Sequence, residues 1–331
     1  VAVQNDDSLY DAILKNTSTK NVDVYDGLID NIYYNNFLEF DKEFILRNNP
    51  FVKQYLKNND IDLYINKNGF RSPEFKNDID FLISGCSITM GDWLPSKFIW
   101  HEMLLRDTRY SYASVAFIGD SYFGQVQKIF AYIKKYNKPK NILMLLPDFS
   151  RFSIINNKKL FIKKNFYNEN FNEDRYNKFN LLQYYNSSIS VDEFQNEKQY
   201  FKRPLDPKDV IPEELSHMYS AQMLHILEAY CNDLGINLIY ATWDKITEQL
   251  FMSIKNENNF KNFISSECFD FFRSENGFNN LYRCHKDHEL KDNIFFKQAL
   301  DKQHHGIHQH IHYKNVFAKK LNEKFGYDFE I

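Results

Sequence analysis

The clearest pattern along the chain is a set of short apolar runs, each stopped by a turn residue. Asp78-Ile-Asp-Phe-Leu-Ile-Ser84 ends at Gly85, Ser111 to Ile118 ends at Gly119, and Asn141 to Leu146 ends at Pro147. Runs of this length bounded by glycine or proline predict buried strands near 79–84, 112–118 and 141–147. Between them, Lys97 to Asp107 and Gln125 to Tyr136 carry apolar residues at helical spacing. Pro212-Glu-Glu-Leu-Ser216 opens a long amphipathic helix reaching about Asp233, with Gly235 as its stop, and Ile236 to Ala241 reads as a fourth strand. Tyr313 to Phe325 closes the chain as a helix. Strands alternating with helices predict an α/β fold with a mainly parallel sheet.

The pattern also divides the chain. Residues 1–60 are rich in Asn, Asp, Lys and Tyr without a clean period, and are expected to form an N-terminal arm or cap, with short helices within Phe37 to Leu56. The α/β domain is expected over 61–331, interrupted by an insertion at about 152–212 that is polar and aromatic. Its tyrosines and asparagines suit sugar or protein contacts, and the same composition also follows from a proteome biased toward Asn, Lys and Ile. Residues 245–300 carry little periodicity, and the apolar pieces Phe260–Phe263 and Phe269–Phe272 are expected in a lid or partner surface.

Composition narrows the function classes. A net charge of −3 leaves no basic excess, so neither nucleic acid nor an anionic membrane is an expected partner. No apolar stretch reaches membrane-spanning length, and Val1-Ala-Val-Gln-Asn-Asp-Asp lacks a signal-peptide pattern. Cys86, Cys231, Cys268 and Cys284 have no framework spacing and read as free thiols, consistent with synthesis in a reducing cytoplasm.

The candidate chemistry lies in two distant segments, Gly85-Cys-Ser-Ile-Thr-Met-Gly91 and Asp301-Lys-Gln-His304-His305-Gly306. A serine hydroxyl becomes nucleophilic when a base takes its proton and a third group orients that base. Ser87, His304 and Asp301 supply those residue types. Ser87 falls in the turn after the first predicted strand, at the carboxyl edge where α/β sheets bind ligands. Trp243 and Asp244 end the fourth predicted strand and face the same edge. Two rivals for the nucleophile are Ser121, in a literal Gly119-Asp-Ser121 before a helix, and Cys86. Ser121 lacks the Thr-x-Gly continuation that follows Ser87. Five of the ten histidines lie between 304 and 312, and His308 and His312 share a helix face, which raises metal binding. Standard ligand spacings are missing, so no metal and no cofactor are expected.

Gly85-Cys-Ser87-Ile-Thr89-Met-Gly91 resembles the first block (G-D-S-x-T-x-G) of the SGNH, or GDSL-type, hydrolases, with Cys86 in the aspartate position. Asp301-x-x-His304 resembles their last block, D-x-x-H, with His305 in place of the usual proline and Gly306 retained. Asn66-x-x-Gly69-x-Arg71-x-x-Glu74 is similar to the lead-in of some relatives, so the resemblance runs from about Asn66 to the end. It implies a flavodoxin-like three-layer α/β/α sandwich and serine esterase or carbohydrate O-deacetylase activity. It further implies an oxyanion hole from the N–H groups of Ser87 and Gly119. The third block, G-x-N-D, is replaced by Asp148-Phe-Ser150-Arg151, which leaves Ser150 or Arg151 to stand in for the asparagine donor. Thr89, Arg71 and His310 are the other residues expected to line the site. The G-C-S variant resembles SGNH-like proteins of bacteriophages. That implies an ester or acetylated-glycan substrate, with a homo-oligomer or virion proteins as partners. The alternative is a structural or host-recognition protein of a virion that keeps the fold and not the activity.

Overall fold

A computed structural model describes residues 66–68, 70–92, 94–117, 120–147, 151–156, 180–185, 213–256, 259–266, 287–293, 295–299 and 304–331. The arm expected over 1–60 lies outside them, as does most of the insertion.

Six strands are described: β1 (Phe81–Gly85), β2 (Tyr112–Ser114), β3 (Asn141–Leu146), β4 (Arg151–Asn156), β5 (Asn180–Tyr185) and β6 (Asn237–Thr242). The helices are α1 (Ser87–Met90), α2 (Trp100–Leu105), α3 (Tyr122–Tyr136), α4 (Glu213–Leu234), α5 (Lys245–Ile254) and α6 (Ile307–Phe325), with a 3-10 turn at Ser96–Phe98. Four strands form an all-parallel sheet in the order β2-β1-β3-β6. Pairing beside β2 continues past its last residue, because Val115 N–H donates to Ile83 O and Phe117 N–H to Gly85 O. The chain leaves β1 toward β2 on one side and returns with β3 on the other. The carboxyl end of β1 is therefore a topological switch point, where neighbouring connections diverge and leave a crevice.

Strand residues alternate between two apolar cores, as a sheet covered on both faces requires. Leu82, Ile142, Met144, Leu238 and Tyr240 pack with residues of α3, α4 and α5 such as Val126, Leu227 and Phe251. Ile83, Leu143, Leu145 and Ile239 face the other way, toward Trp100 and Leu104 of α2 and Phe317 and Leu321 of α6. Trp100 and Phe317 stack with centroids 4.6 Å apart, joining α2 to α6.

Several expectations need correction. The helix expected over Lys97 to Asp107 is split, since Ile99 is extended between the 3-10 turn and α2. The last helix begins at Ile307, six residues before the expected Tyr313, because His308 and His310 are buried helix residues and no loop intervenes. Helix α5 falls within the stretch that showed little periodicity, where Asp244 caps it by accepting from Thr247 N–H at 2.8 Å. Phe260 and Phe263 pack in the core against Phe251, the latter pair stacked at 4.7 Å, so this piece is core and not a lid. Phe269–Phe272 lies outside the described residues. Within the expected insertion, β4 and β5 pair as an antiparallel ribbon, so that region carries regular structure.

Backbone geometry explains the glycines around Ser87. A Cβ on Gly85 would lie 2.1 Å from Thr89 Oγ1 and 3.0 Å from Leu145 O, so the turn closes only over a glycine. Gly91 ends α1 with φ +73°, the left-handed conformation that glycine adopts without penalty. Gly85→Ala is expected to lower stability by about 1–3 kcal/mol through overpacking. Thr89→Ala in the same chain is expected to recover part of that loss, since it removes the atom the new methyl strikes. Denaturant melts of the two single variants and the double variant measure the coupling, and strictly additive losses would contradict the contact.

Candidate functional site

Ser87 begins α1 directly after β1, at the switch point of the sheet. It is 6% exposed, and its hydroxyl makes no hydrogen bond among the described residues. The turn that carries it is held from behind. Arg71, itself buried, sends Nη1 to Met90 O (3.3 Å) and Gly91 O (2.5 Å), and Nη2 to Leu94 O (2.7 Å) and Ser96 Oγ (2.9 Å). Charge-assisted bonds to a run of carbonyls fix the loop that follows the serine. Arg71 thus acts on the site through its backbone.

On the opposite flank, Thr89 O accepts a hydrogen bond from His101 Nε2 at 3.1 Å, while the Thr89 side chain packs under Gly85. Cys86 is fully buried, and its Sγ accepts from Trp243 Nε1 at 3.3 Å. Trp243 is therefore the neighbour of Cys86 at the end of β6, and it meets the His305 ring edge to face at 6.0 Å.

His304 reaches this turn from more than two hundred residues downstream. Its Nε2 lies 3.8 Å from Asp92 Oδ2, with the imidazole 19% and the carboxylate 7% exposed. Asp92 directly follows Gly91, and its N–H donates to Ser87 O at 3.0 Å. The base expected from the last block and the serine expected from the first are consequently joined through one intermediate residue. Asp92 was not singled out from the sequence. Its cue was an acid placed immediately after the glycine that closes the turn. Asp301, Gly119 and Ser150 lie outside the described residues, and of Arg151 only the backbone, in β4, is described.

Ser121 has another use. Its Oγ accepts from Gly124 N–H at 3.2 Å as the N-cap of α3, and Asp120 beside it forms a buried ion pair with Lys128 at 2.7 Å. The literal Gly-Asp-Ser thereby coincides with a helix start.

The remaining histidines of the cluster are engaged by backbone and aromatic groups. His310 Nδ1 accepts from Trp100 N–H at 3.1 Å, capping the start of α2. His308 Nδ1 donates to Phe296 O at 2.5 Å, His312 Nε2 donates to Ser266 O, and His305 Nδ1 is hydrogen-bonded to the Tyr313 hydroxyl at 3.0 Å. Among the described residues no three His, Cys, Asp or Glu side chains converge as a metal would require. Nor is any described helix long and apolar enough to cross a membrane.

Burial keeps several imidazoles neutral. Desolvation, aided by neighbouring cationic groups, pushes His310 down to about 3. Desolvation likewise takes His101 to about 4 against the opposing pull of Glu102, and holds His305 well below the ordinary histidine range. For His310 the folded chain resists a proton that the unfolded chain takes up near pH 6.5, so the unfolded state binds more protons between these values. Stability is accordingly expected to fall as pH drops from about 6.5 toward 3. In His310→Asn, whose amide oxygen can still accept from Trp100, thermal melts are expected to depend less steeply on pH over that window. A slope equal to the parent's would contradict the neutral buried imidazole.

Compared with known proteins, the chain matches no protein-family model and no curated protein sequence.

Proposed function

We propose that the protein is a serine hydrolase of the SGNH type, an esterase or carbohydrate O-deacetylase, on a flavodoxin-like three-layer α/β/α sandwich. The observation that carries this reading is the meeting of His304 with the Ser87 turn through Asp92, at the carboxyl edge of a parallel sheet. Two segments with complementary chemistry approach each other at the switch point, the position where such sheets bind ligands.

In this reading Ser87 Oγ attacks the ester carbonyl carbon while His304 takes the hydroxyl proton. The tetrahedral intermediate expels the alcohol, which receives that proton from His304, and leaves an acyl group on Ser87. Water then attacks the acyl-enzyme with His304 again as base, releasing the acid and restoring the serine. Asp301 is assigned to orient His304, and the N–H groups of Ser87 and Gly119 to receive the oxyanion, on the strength of the motif resemblance. The absence of the third-block asparagine favours a modest rate, because an oxyanion-hole donor contributes roughly 3–4 kcal/mol to the transition state. The same departure favours, as a second reading, a virion structural or host-recognition protein that keeps the fold without turnover.

Hydrolysis of p-nitrophenyl acetate, then acetate release from acetylated polysaccharides, tests the proposal on the parent, Ser87→Ala and Ser121→Ala. The expected outcome is loss of at least a thousandfold in kcat for Ser87→Ala, in line with removal of a triad nucleophile (about 10⁶-fold in the best-studied case). Ser121→Ala is expected to retain turnover with a melting point lowered by loss of its cap. A folded parent that releases no acid from either substrate class would favour the second reading.

A further inference from the structure

We propose that Asp92 is a positioning residue for His304, whose carboxylate holds the imidazole beside the Ser87 turn and stabilises the imidazolium formed when the serine proton moves. This rests on the hydrolase reading and adds to it a second carboxylate, distinct from Asp301.

Three observations support the assignment. Asp92 Oδ2 lies 3.8 Å from Nε2 of His304, within the range where an opposite charge favours the protonated ring. The backbone that carries the carboxylate is also held in place. The Asp92 N–H is bonded to Ser87 O, and the adjoining Met90 and Gly91 carbonyls are gripped by Arg71. Finally, the pair is largely withdrawn from water, where screening is weak and a fixed charge acts strongly.

The surrounding field makes this charge more consequential. The described titratable groups that act on this cluster include His305, His308 and His310 from the start of α6 and the segment before it, His101, Glu102 and Arg106 from α2 and its end, and Arg71 from the lead-in. The imidazoles of His101, His305 and His310 are disposed to stay neutral, and Arg71 is cationic. Glu102, the anion of this set, faces His101 and Arg106, so the positive charge that develops on His304 calls for a negative one nearer to it. Asp92 supplies that charge. It takes no proton in the reaction, and the proton passes between Ser87, His304 and the leaving alcohol as above.

The test combines two readouts on the full chain. In Asp92→Asn the His304 ring, followed by NMR and assigned with His304→Asn, is expected to titrate about one pH unit or more below its value in the parent. The acidic limb of kcat/KM for p-nitrophenyl acetate is expected to move down with it, and kcat to fall about tenfold with KM little changed, as for an interaction made in the transition state. Asp92→Ser serves as the second variant if the asparagine chain does not fold. Ser87-dependent turnover combined with superimposable His304 titration curves in parent and variant would overturn the proposal. Failure of the hydrolase reading looks different: no Ser87-dependent turnover with the titration shift still present, which would remove the catalytic role of Asp92 as well.

Discussion

The arrangement at the sheet edge depends on one buried cation. Arg71 is buried, and its guanidinium is directed at the carbonyls of Met90, Gly91 and Leu94 and at the Ser96 hydroxyl. A four-residue helix is too short to be stable by itself. Here α1 is closed at one end by the packing of Thr89 under Gly85, ended at the other by the left-handed Gly91, and tied beyond that by the arginine. The planar fork of donors suits a set of diverging carbonyls in a way a lysine ammonium does not. Everything the turn presents, Ser87 first and Asp92 last, inherits its position from these contacts.

The histidine-rich start of α6 is a packing device as much as a reservoir of chemistry. His305, His308 and His310 are buried and spend ring nitrogens on a tyrosine hydroxyl, a carbonyl and the free N–H at the start of α2. Neutral imidazole can accept at one nitrogen and donate at the other, which lets it bridge polar backbone groups inside an apolar setting. His304 precedes this group and keeps partial access to solvent. Burial holds its neighbours His305 and His310 neutral.

The sheet was legible because parallel strands buried on both faces are continuous apolar runs, and Phe81–Gly85, Asn141–Leu146 and Asn237–Thr242 stand within one or two residues of the runs that announce them. Boundaries failed where local pattern competed with long-range packing. Ile307 to His312 is polar and fell outside the expected last helix, yet those residues are helical, with Phe296, Trp100 and Ser266 supplying partners from other segments. Helix α5 was obscured by a similar cause: Asp244 resembled a site residue at a strand end, whereas its carboxylate is a helix cap. The Phe260–Phe263 piece looked like a spare apolar surface because its partner, Phe251, belongs to that same unread helix.

By itself the sequence determined the strand-helix alternation, the glycines that permit a tight turn after β1, and the presence of a serine and a histidine in segments suited to face that turn. These follow from local sterics and burial, which a chain carries in its own order of residues. Tertiary structure decided which of several polar residues stand together. It gave Ser121 to a helix cap, turned Arg71 into a clamp on carbonyls, enclosed His310 against Trp100, and brought Asp92 to His304. Such pairings depend on distances across a packed core between residues far apart in the chain, and no local periodicity encodes them.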